Sequence, residues 1–222
     1  MRNPVLLALV SAVLLIACSS EDPPAAGAAE TGSPQAEAPN TDGSTPAATP
    51  ASNEGSEGFA PITSRDRLSG GKAIQAPGAT FTLPTSWQSE QPSSSMRLAQ
   101  AKIPGDAGEG QLTVFHFGPG GGGGVEANLQ RWIGQVELES EPQRESFTVG
   151  TFTVTWVDAM GTIKPSTMGV GPDTPQPGSR LLGAVVEGQG GPWFFKATGP
   201  ADTLAAERDA FLDMLKSAQP NA

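Results

Sequence analysis

Phe152-Thr153-Val154-Thr155-Trp156-Val157-Asp158 decides the fold class, because apolar and hydroxyl-bearing side chains alternate along the first five residues. Such an alternation is typical of a β-strand with one buried face. The preceding pair Gly150-Thr151 is a two-residue hairpin connection of the Gly-X kind, and it predicts that residues 146–149 pair antiparallel with this strand. An antiparallel hairpin is therefore the first element of the predicted fold.

Five further segments have the composition of strands. They are Thr80–Leu83, Met96–Ile103, Gln111–Phe117, and the two arms of a second hairpin, Leu181–Glu187 and Trp193–Ala197. Residues 111–117 are apolar on both faces, which is typical of a strand that is covered twice. Residues 161–179 are rich in Gly, Pro and Thr without periodicity, and we expect a long loop there.

Two amphipathic helices complete the pattern. Apolar residues recur at helical spacing from Val125 to Val136, and a second apolar stripe follows Gly199-Pro200 and runs from Leu204 to Leu215. The resulting order is three strands, a helix, four strands and a helix. We therefore expect an α+β fold, a mainly antiparallel β-sheet flanked by helices.

Several of these segments carry a family resemblance. The entry Phe81-Thr82-Leu83-Pro84 with Trp87, the stretch from Pro192 to Pro200 and the final helix together resemble the Mog1/PsbP-like superfamily. The stretches 114–120, 125–132 and 179–187 look similar to uncharacterised bacterial envelope proteins. The resemblance covers nearly all of residues 75–218. It implies an antiparallel sheet flanked by helices and a non-enzymatic assembly or binding role. Some members bind manganese or calcium, but no such ligand maps onto this chain, so we expect no cofactor and no metal site.

The N-terminus predicts an export signal. Arg2 precedes an apolar run over residues 5–16 that is short for a membrane span, and the run ends in Leu15-Ile16-Ala17-Cys18. This ending resembles the bacterial lipobox, which implies cleavage after residue 17 and lipid attachment to Cys18. The alternative is an ordinary secretory signal or an uncleaved anchor. Ser19 favours the outer membrane if the host is Gram-negative.

The chain then divides into a tether and a domain. Residues 19–58 contain seven acidic residues, no basic residue and no aromatic residue. Such a composition predicts disorder, because it cannot bury enough apolar surface to offset the entropy of ordering. We expect a signal peptide over 1–17, a lipidated, disordered acidic tether over 18–73, the folded domain over 74–218 and a C-terminal tail over 219–222.

Composition excludes several functions. Thirteen basic and 23 acidic residues give a net charge of −10, so we expect no nucleic-acid partner. The single cysteine excludes an intramolecular disulfide, and the absence of tyrosine together with a single histidine leaves little conventional proton-transfer chemistry. The oligomeric state cannot be predicted from these features.

The candidate ligand contacts are His116, Arg131 and Arg180, and no catalytic residue is predicted. The glycine run 118–124 precedes a helix but lacks the Lys-Ser/Thr pair of a phosphate-binding loop, so we interpret it as a flexible connector. The cluster Glu137, Glu139, Glu141 and Glu145 reads as a solvated turn that leaves weak divalent-cation binding open. Of the four tryptophans, Trp132 and Trp156 fall in apolar patterns and are predicted to lie in the core.

These features predict a lipid-anchored cell-envelope protein. Its partners would be the membrane, through Cys18, and a protein or small-molecule ligand of a non-enzymatic binding or assembly domain. One alternative is an envelope enzyme that uses carboxylates, Arg131 or Arg180 and the loop 161–179. Another is a purely structural envelope component.

Overall fold

The computed structural model describes residues 62–166 and 171–221. The predicted signal peptide, Cys18 and most of the predicted tether lie outside these residues. The helices are α1 (Ser64–Leu68), α2 (Val125–Ile133), α3 (Ala201–Ala206) and α4 (Arg208–Lys216). The strands are β1 (Ala73–Ala76), β2 (Ala79–Thr82), β3 (Gln88–Glu90), β4 (Arg97–Ile103), β5 (Gly110–His116), β6 (Val136–Leu138), β7 (Gln143–Val149), β8 (Phe152–Ile163), β9 (Gln176–Glu187), β10 (Trp193–Pro200) and β11 (Gln219–Pro220). No helix in the described ranges is long and apolar enough to cross a bilayer.

A large antiparallel sheet forms the centre of the domain. Its strands follow the order β3-β4-β5-β10-β9-β8-β6, and β7 also pairs with β8. The predicted hairpin is confirmed, because Val149 pairs with Phe152 across Gly150-Thr151. The second hairpin is confirmed as well, since Trp193 pairs with Val186. A smaller sheet of order β1-β2-β11 accompanies it, and the predicted α+β class is confirmed.

The large sheet is covered on both faces. Alternation along β8 sends Phe152, Val154 and Trp156 to one face, where they join the small sheet and the apolar side of α3 and α4. Val157 and Ala159 point to the opposite face and pack with residues of α2. The central strands are therefore apolar on both sides, because each side meets a separate layer.

The predicted loop 161–179 is wrong at both ends. β8 continues to Ile163, and β9 begins at Gln176, which pairs with Ile163. A strand is hard to recognise here because Gly161 interrupts the apolar pattern. Gly161 has a φ of 153°, and a Cβ at this position would overlap the carbonyl oxygen of Glu137. The glycine thus permits the close approach of β6 rather than ending the strand.

The predicted final helix is divided into two. α3 ends at Ala206 and α4 begins at Arg208, with Glu207 between them at φ −95° and ψ 5°. The Glu207 carboxylate accepts a hydrogen bond of 2.7 Å from the indole nitrogen of Trp87. The side chain at the break is therefore held by a residue 120 positions earlier in the chain, a contact that local periodicity does not reveal.

The ordered domain also extends beyond the predicted limits of 74 and 218. At its start, α1 carries a capping box formed by Thr63 and Asp66. At its end, β11 pairs with β2, and Asn221 donates a hydrogen bond of 3.0 Å to the carbonyl oxygen of Ala76. The predicted tether 18–73 and the predicted tail 219–222 therefore each include residues of the folded domain. The contacts of β11 and Asn221 join residues far apart in the chain, so no local pattern encodes them, whereas the capping box of α1 is a local signal that the prediction missed.

Candidate functional site

His116 lies at the end of β5, beside the β9–β10 hairpin. Its Nε2 atom lies 2.6 Å from the carbonyl oxygen of Gly190, and because that oxygen can only accept, Nε2 is the donor. The imidazole stacks on the Trp193 indole with 5.7 Å between ring centres and an interplanar angle of 17°. These contacts attach the histidine to the hairpin, and they supply no carboxylate that would activate it as a base.

Arg180 lies on β9 in a buried ionic cluster. Its Nε lies 3.4 Å from one oxygen of Asp158, and the Nε of Arg208 lies 3.6 Å from the other. The guanidinium of Arg208 also lies 5.0 Å from the ring centre of Trp156. Burial raises the pKa of the Asp158 carboxyl, and the two arginines act in the opposite direction. The cluster brings together a carboxylate and an arginine near the predicted loop, as the enzyme alternative expects.

Arg131 lies on α2, across the sheet from the other two. Its guanidinium donates to the Oδ1 atom of Asn128, one turn earlier on the same helix. His116 pairs in register with Trp193, and Arg180 pairs with Gly199 six residues further along β10. The three predicted ligand contacts are therefore separate, since two lie towards opposite ends of the sheet and the third lies on α2 over its other face.

Arg131 instead belongs to a group of three cations that the sequence did not predict to lie together. Lys196 on β10 and Arg97 on β4 complete it, and we call these three residues the cation cluster. Burial, together with the positive charges of Arg131 and Arg97, lowers the pKa of Lys196 to about 8. Three positive charges thus act on one another on the α2 face of the sheet.

The partners of the cation cluster are neutral amides. Lys196 Nζ donates to the Oε1 atom of Gln135 at 2.5 Å. Arg97 donates to the Oε1 atom of Gln100 at 2.6 Å and to that of Gln111 at 3.4 Å. Arg131 donates to Asn128. Amide oxygens accept hydrogen bonds from these cations without neutralising their charge.

Cations elsewhere in the domain are paired differently. Carboxylates lie beside Arg67, Lys102, Arg144, Arg180 and Arg208. In the ranges that the structure describes, no ion pair reaches Arg97, Arg131 or Lys196 within 4.0 Å. The domain is acidic, with 12 basic and 16 acidic residues over 59–222. A concentration of unneutralised positive charge is therefore unusual for this surface and marks it as the candidate site.

The sheet beside the cation cluster is partly apolar. Thr113 pairs in register with Lys196, and Phe115 pairs with Phe194 on the same face. The rings of Phe115 and Phe117 are stacked, with 6.2 Å between centres and an interplanar angle of 13°. Phe117 is 50% exposed, so the prediction that its strand is covered on both faces fails at this end. The site combines cationic and aromatic surface.

The glycine run forms one border of the site. Asn128 donates to the carbonyl oxygens of Gly122 and Gly124 at 3.0 and 2.9 Å, which ties the loop to the first turns of α2. Gly122 has a φ of 77°, and a Cβ there would collide with the ring of Phe194. The run is thus a connector that packs closely on the sheet, and its glycines permit that approach.

A cavity lies on the other side of the large sheet. It has a volume of about 220 Å³ and opens between β1 and the β3–β4 edge. Its walls include the apolar Ile74, Leu98 and Leu112 and the polar Lys72 and Glu90. Ligand pockets usually measure about 300–1,000 Å³, so this space suits only a small group. The cation cluster is the stronger candidate because it has both charge and aromatic surface.

The tryptophans and the glutamate cluster lie in the core and on the surface, respectively. Trp132 and Trp156 are buried as predicted, and Trp87 and Trp193 are buried too. The four glutamates at 137, 139, 141 and 145 are exposed, as expected of a solvated segment. Weak divalent-cation binding there remains a prediction.

The sequence reading singled out Arg131 but missed Lys196 and Arg97. One signal was present, since Lys196 interrupts the apolar strand Trp193–Ala197 at a position that the alternation predicts to be buried with Phe194. A lysine in such a position indicates a role other than packing, because its charged form is costly to bury. Arg97 gave no comparable signal.

No protein-family model matches the chain, and no curated protein matches it. The solved structures that are similar in shape include PsbP (CyanoP) from Synechocystis, which is 15% identical with a TM-score of 0.44 over 65% of this chain and 87% of the other. LpqN of Mycobacterium tuberculosis, involved in cell envelope biogenesis, is 13% identical with a TM-score of 0.42 over 71% and 96%. PA94 of Pseudomonas aeruginosa, of unknown function, is 14% identical with a TM-score of 0.39 over 68% and 98%.

Proposed function

We propose that this protein is a lipid-anchored cell-envelope protein whose Mog1/PsbP-like domain has a non-enzymatic binding or assembly role. The anchor would be Cys18, which follows Leu15-Ile16-Ala17 at the end of an apolar export signal. Two or more acyl chains at one terminus hold a protein firmly on a bilayer, whereas one chain holds it only marginally. Ser19 would direct the protein to the outer membrane of a Gram-negative host.

The cation cluster is the observation that carries the binding role. Arg97, Arg131 and Lys196 have neutral amide partners. Arg97 also pairs in register with Phe115, on which the half-exposed ring of Phe117 stacks. Surfaces with unneutralised charge beside apolar groups are suited to recognition, since a ligand can supply both the missing countercharge and apolar contact. The single histidine of the chain, His116, stacks on Trp193 at the opposite face of the sheet and donates to a backbone carbonyl, so the geometry favours binding over catalysis.

Labelling with a palmitate analogue tests the anchor. We expect the wild-type protein to incorporate the label and to sediment with membranes, and the Cys18→Ser variant to do neither. Ser19→Ala is the matched control, because it removes a neighbouring hydroxyl and leaves the thiol in place. Label that persists in Cys18→Ser would contradict attachment at this residue.

Photo-cross-linking in intact cells tests the binding role. A photoreactive amino acid is placed at Gln111, whose side chain contacts Arg97, or at Arg65 on α1 as a control position. We expect a discrete cross-linked product, either a protein or a lipid, at position 111 and none at position 65. Equal products at the two positions, or none at either, would contradict a binding surface at the cation cluster.

The enzyme alternative has one observation in its favour. Asp158 is only 7% exposed, and the buried Nε atoms of Arg180 and Arg208 have no hydrogen-bond partner among the described residues. A carboxylate with a raised pKa between two arginines is a known feature of active sites, although structural ion-pair networks have it too. Turnover of chromogenic ester, phosphate or glycoside substrates that disappears in a folded Asp158→Asn variant would establish it.

A further inference from the structure

We propose, resting on the binding role above, that the cation cluster binds the phosphoryl group of a phosphate monoester. Arg97 on β4 and Lys196 on β10 flank β5, where they pair in register with Phe115 and with residue 113. Lys196 also bonds to the Gln135 side chain, which follows Arg131 by one helical turn at the end of α2. Each of the three cations donates at present to an amide oxygen, and phosphate oxygens can take the place of these acceptors while also neutralising the charge.

The number of charges favours phosphate over carboxylate. A carboxylate would neutralise one of the three positive charges and offer two oxygens. A phosphate monoester carries about −1.5 to −2 charges near neutral pH and offers three acceptor oxygens, which is one for each cation. Two of the three cations are arginines, whose planar forks bind phosphate oxygens in pairs.

Neighbouring carboxylates do not occupy the position. Among the residues that the structure describes, Glu90 is hydrogen-bonded to the cluster through Gln100 alone, which donates to Glu90 at 3.0 Å and accepts from Arg97 at 2.6 Å. Glu126, near the start of α2, is paired with Arg144. Both acids are therefore engaged with other groups, which leaves the cluster free to take its countercharge from a bound ligand.

The aromatic surface indicates what the phosphoryl group is attached to. Phe115 pairs in register with Arg97, and Phe117 stacks on Phe115 with half of its surface exposed. A ligand whose phosphate meets the cations would place its organic part against these rings. We therefore expect an apolar or aromatic phosphate ester to bind more tightly than inorganic phosphate.

Calorimetric titration of the purified full chain with phenyl phosphate tests this proposal. We expect saturable binding, and binding of benzoate that is weaker by at least about tenfold, because benzoate keeps the ring but has one negative charge. Arg97→Gln and Arg131→Gln should each weaken phenyl phosphate binding by about tenfold or more. Arg65→Gln removes the same charge from exposed α1 and should change the affinity by less than about twofold.

Arg131 is exposed, so its substitution leaves the core intact, and an unchanged circular dichroism spectrum and melting temperature would confirm this. Vesicles of phosphatidylcholine with and without phosphatidic acid distinguish the sources of the phosphoryl group, provided that the chain begins at Ser19 and so carries no acyl anchor of its own. Binding that needs phosphatidic acid and is lost in Arg131→Gln places the phosphoryl group on a lipid, whereas binding of phenyl phosphate alone places it on a soluble ligand.

The proposal is overturned if neither probe binds, if benzoate binds as well as phenyl phosphate, or if Arg65→Gln weakens binding as much as Arg131→Gln. These outcomes differ from failure of the binding role itself. A cross-linked product at position 111 together with no phosphate binding would retain the binding role and reject the ligand class, whereas absence of both would reject the two together.

Discussion

The indole ring of Trp132 packs directly against the backbone of Gly183, so that a Cβ at position 183 would lie 2.5 Å from the ring. Trp132 belongs to α2, and Gly183 lies in the middle of β9. This contact sets the distance between the helix and the sheet. Because Arg131 is next to Trp132 on the same helix, the contact also helps to place one arm of the cation cluster.

We expect Gly183→Ala to destabilise the domain, because the added methyl group has to displace Trp132 or the helix that carries it. Overpacking of this kind costs about 1–3 kcal/mol in the free energy of unfolding, which denaturant titration measures. Gly124→Ser is the control, since a Cβ at position 124 meets nothing within 4 Å and serine is favourable at a helix N-cap. Equal free energies of unfolding for Gly183→Ala and wild type would show that the contact between Trp132 and Gly183 does not fix the distance between α2 and β9.

The buried carboxylate of Asp213 joins α1 to α4. It accepts hydrogen bonds of 2.7 Å from both Arg67 and Ser64. Asp213→Asn removes the charge, and because Arg67 is itself 26% exposed, we expect a loss of about 2–4 kcal/mol and faster hydrogen exchange over residues 62–72. Asp209→Asn is the matched control. Asp209 lies 3.6 Å from Arg67 but is 71% exposed, so its loss should cost less than about 1 kcal/mol.

If the two variants are equally stable, α1 does not depend on Asp213. A chain that begins at residue 74 provides an independent test. Because it lacks Ser64 and Arg67, we expect it to have a lower free energy of unfolding than a chain that begins at residue 62. In this shorter chain, Asp213→Asn should not lower the free energy of unfolding.

The buried position of Lys196 lowers the free energy of unfolding of the domain. Its pKa is lowered to about 8, mainly by burial, while an unfolded lysine titrates near 10.5. The unfolded chain therefore holds the proton more tightly than the folded chain, so this lysine disfavours folding below pH 8 and the penalty disappears as the pH rises from about 8 to 10.5.

We expect Lys196→Met to increase the free energy of unfolding at pH 7 by about 1–3 kcal/mol, with the loss of the hydrogen bond to Gln135 taken into account. The difference between variant and wild type should shrink as the pH approaches 10.5. Lys164→Met replaces an exposed lysine, and we expect no comparable increase in the free energy of unfolding at pH 7 from this control. A destabilised variant at pH 7 would mean that the charge of Lys196 is well accommodated. A gain in stability would agree with a residue kept for binding rather than for folding.

Sequence patterns predicted the parts of the fold that depend on local periodicity. The hairpin at Gly150-Thr151 is predictable because its arms alternate and its turn has two residues. The hairpin before Trp193 is predictable because two apolar runs flank the short glycine-rich segment 188–192. The strands β1, β3, β6 and β11 have two to four residues, too few for a pattern to be recognised. β11 is also defined only by its pairing with β2, about 140 residues earlier, and such pairing depends on the whole fold.

The candidate site was harder to predict for the same reason. The site is built from β4, α2 and β10, which carry Arg97, Arg131 and Lys196. In the sheet, β5 lies between β4 and β10, although β5 and β10 are some 80 residues apart in the chain. Nothing in the spacing of these residues along the chain indicates that they meet. Arg180 presents the same difficulty, because the carboxylate of Asp158 on β8 pairs with both Arg180 on β9 and Arg208 on α4. The sequence predicts a loop up to residue 179, immediately before this arginine.

Intact-mass spectrometry of the mature protein extracted from membranes tests the proposed anchoring most directly. Lipid anchoring predicts a polypeptide that begins at Cys18 and carries the mass of a diacylglycerol thioether together with an acyl chain on the new amino group. A protein recovered from the soluble fraction with an unmodified N-terminus, or one that retains residues 1–17, would contradict it.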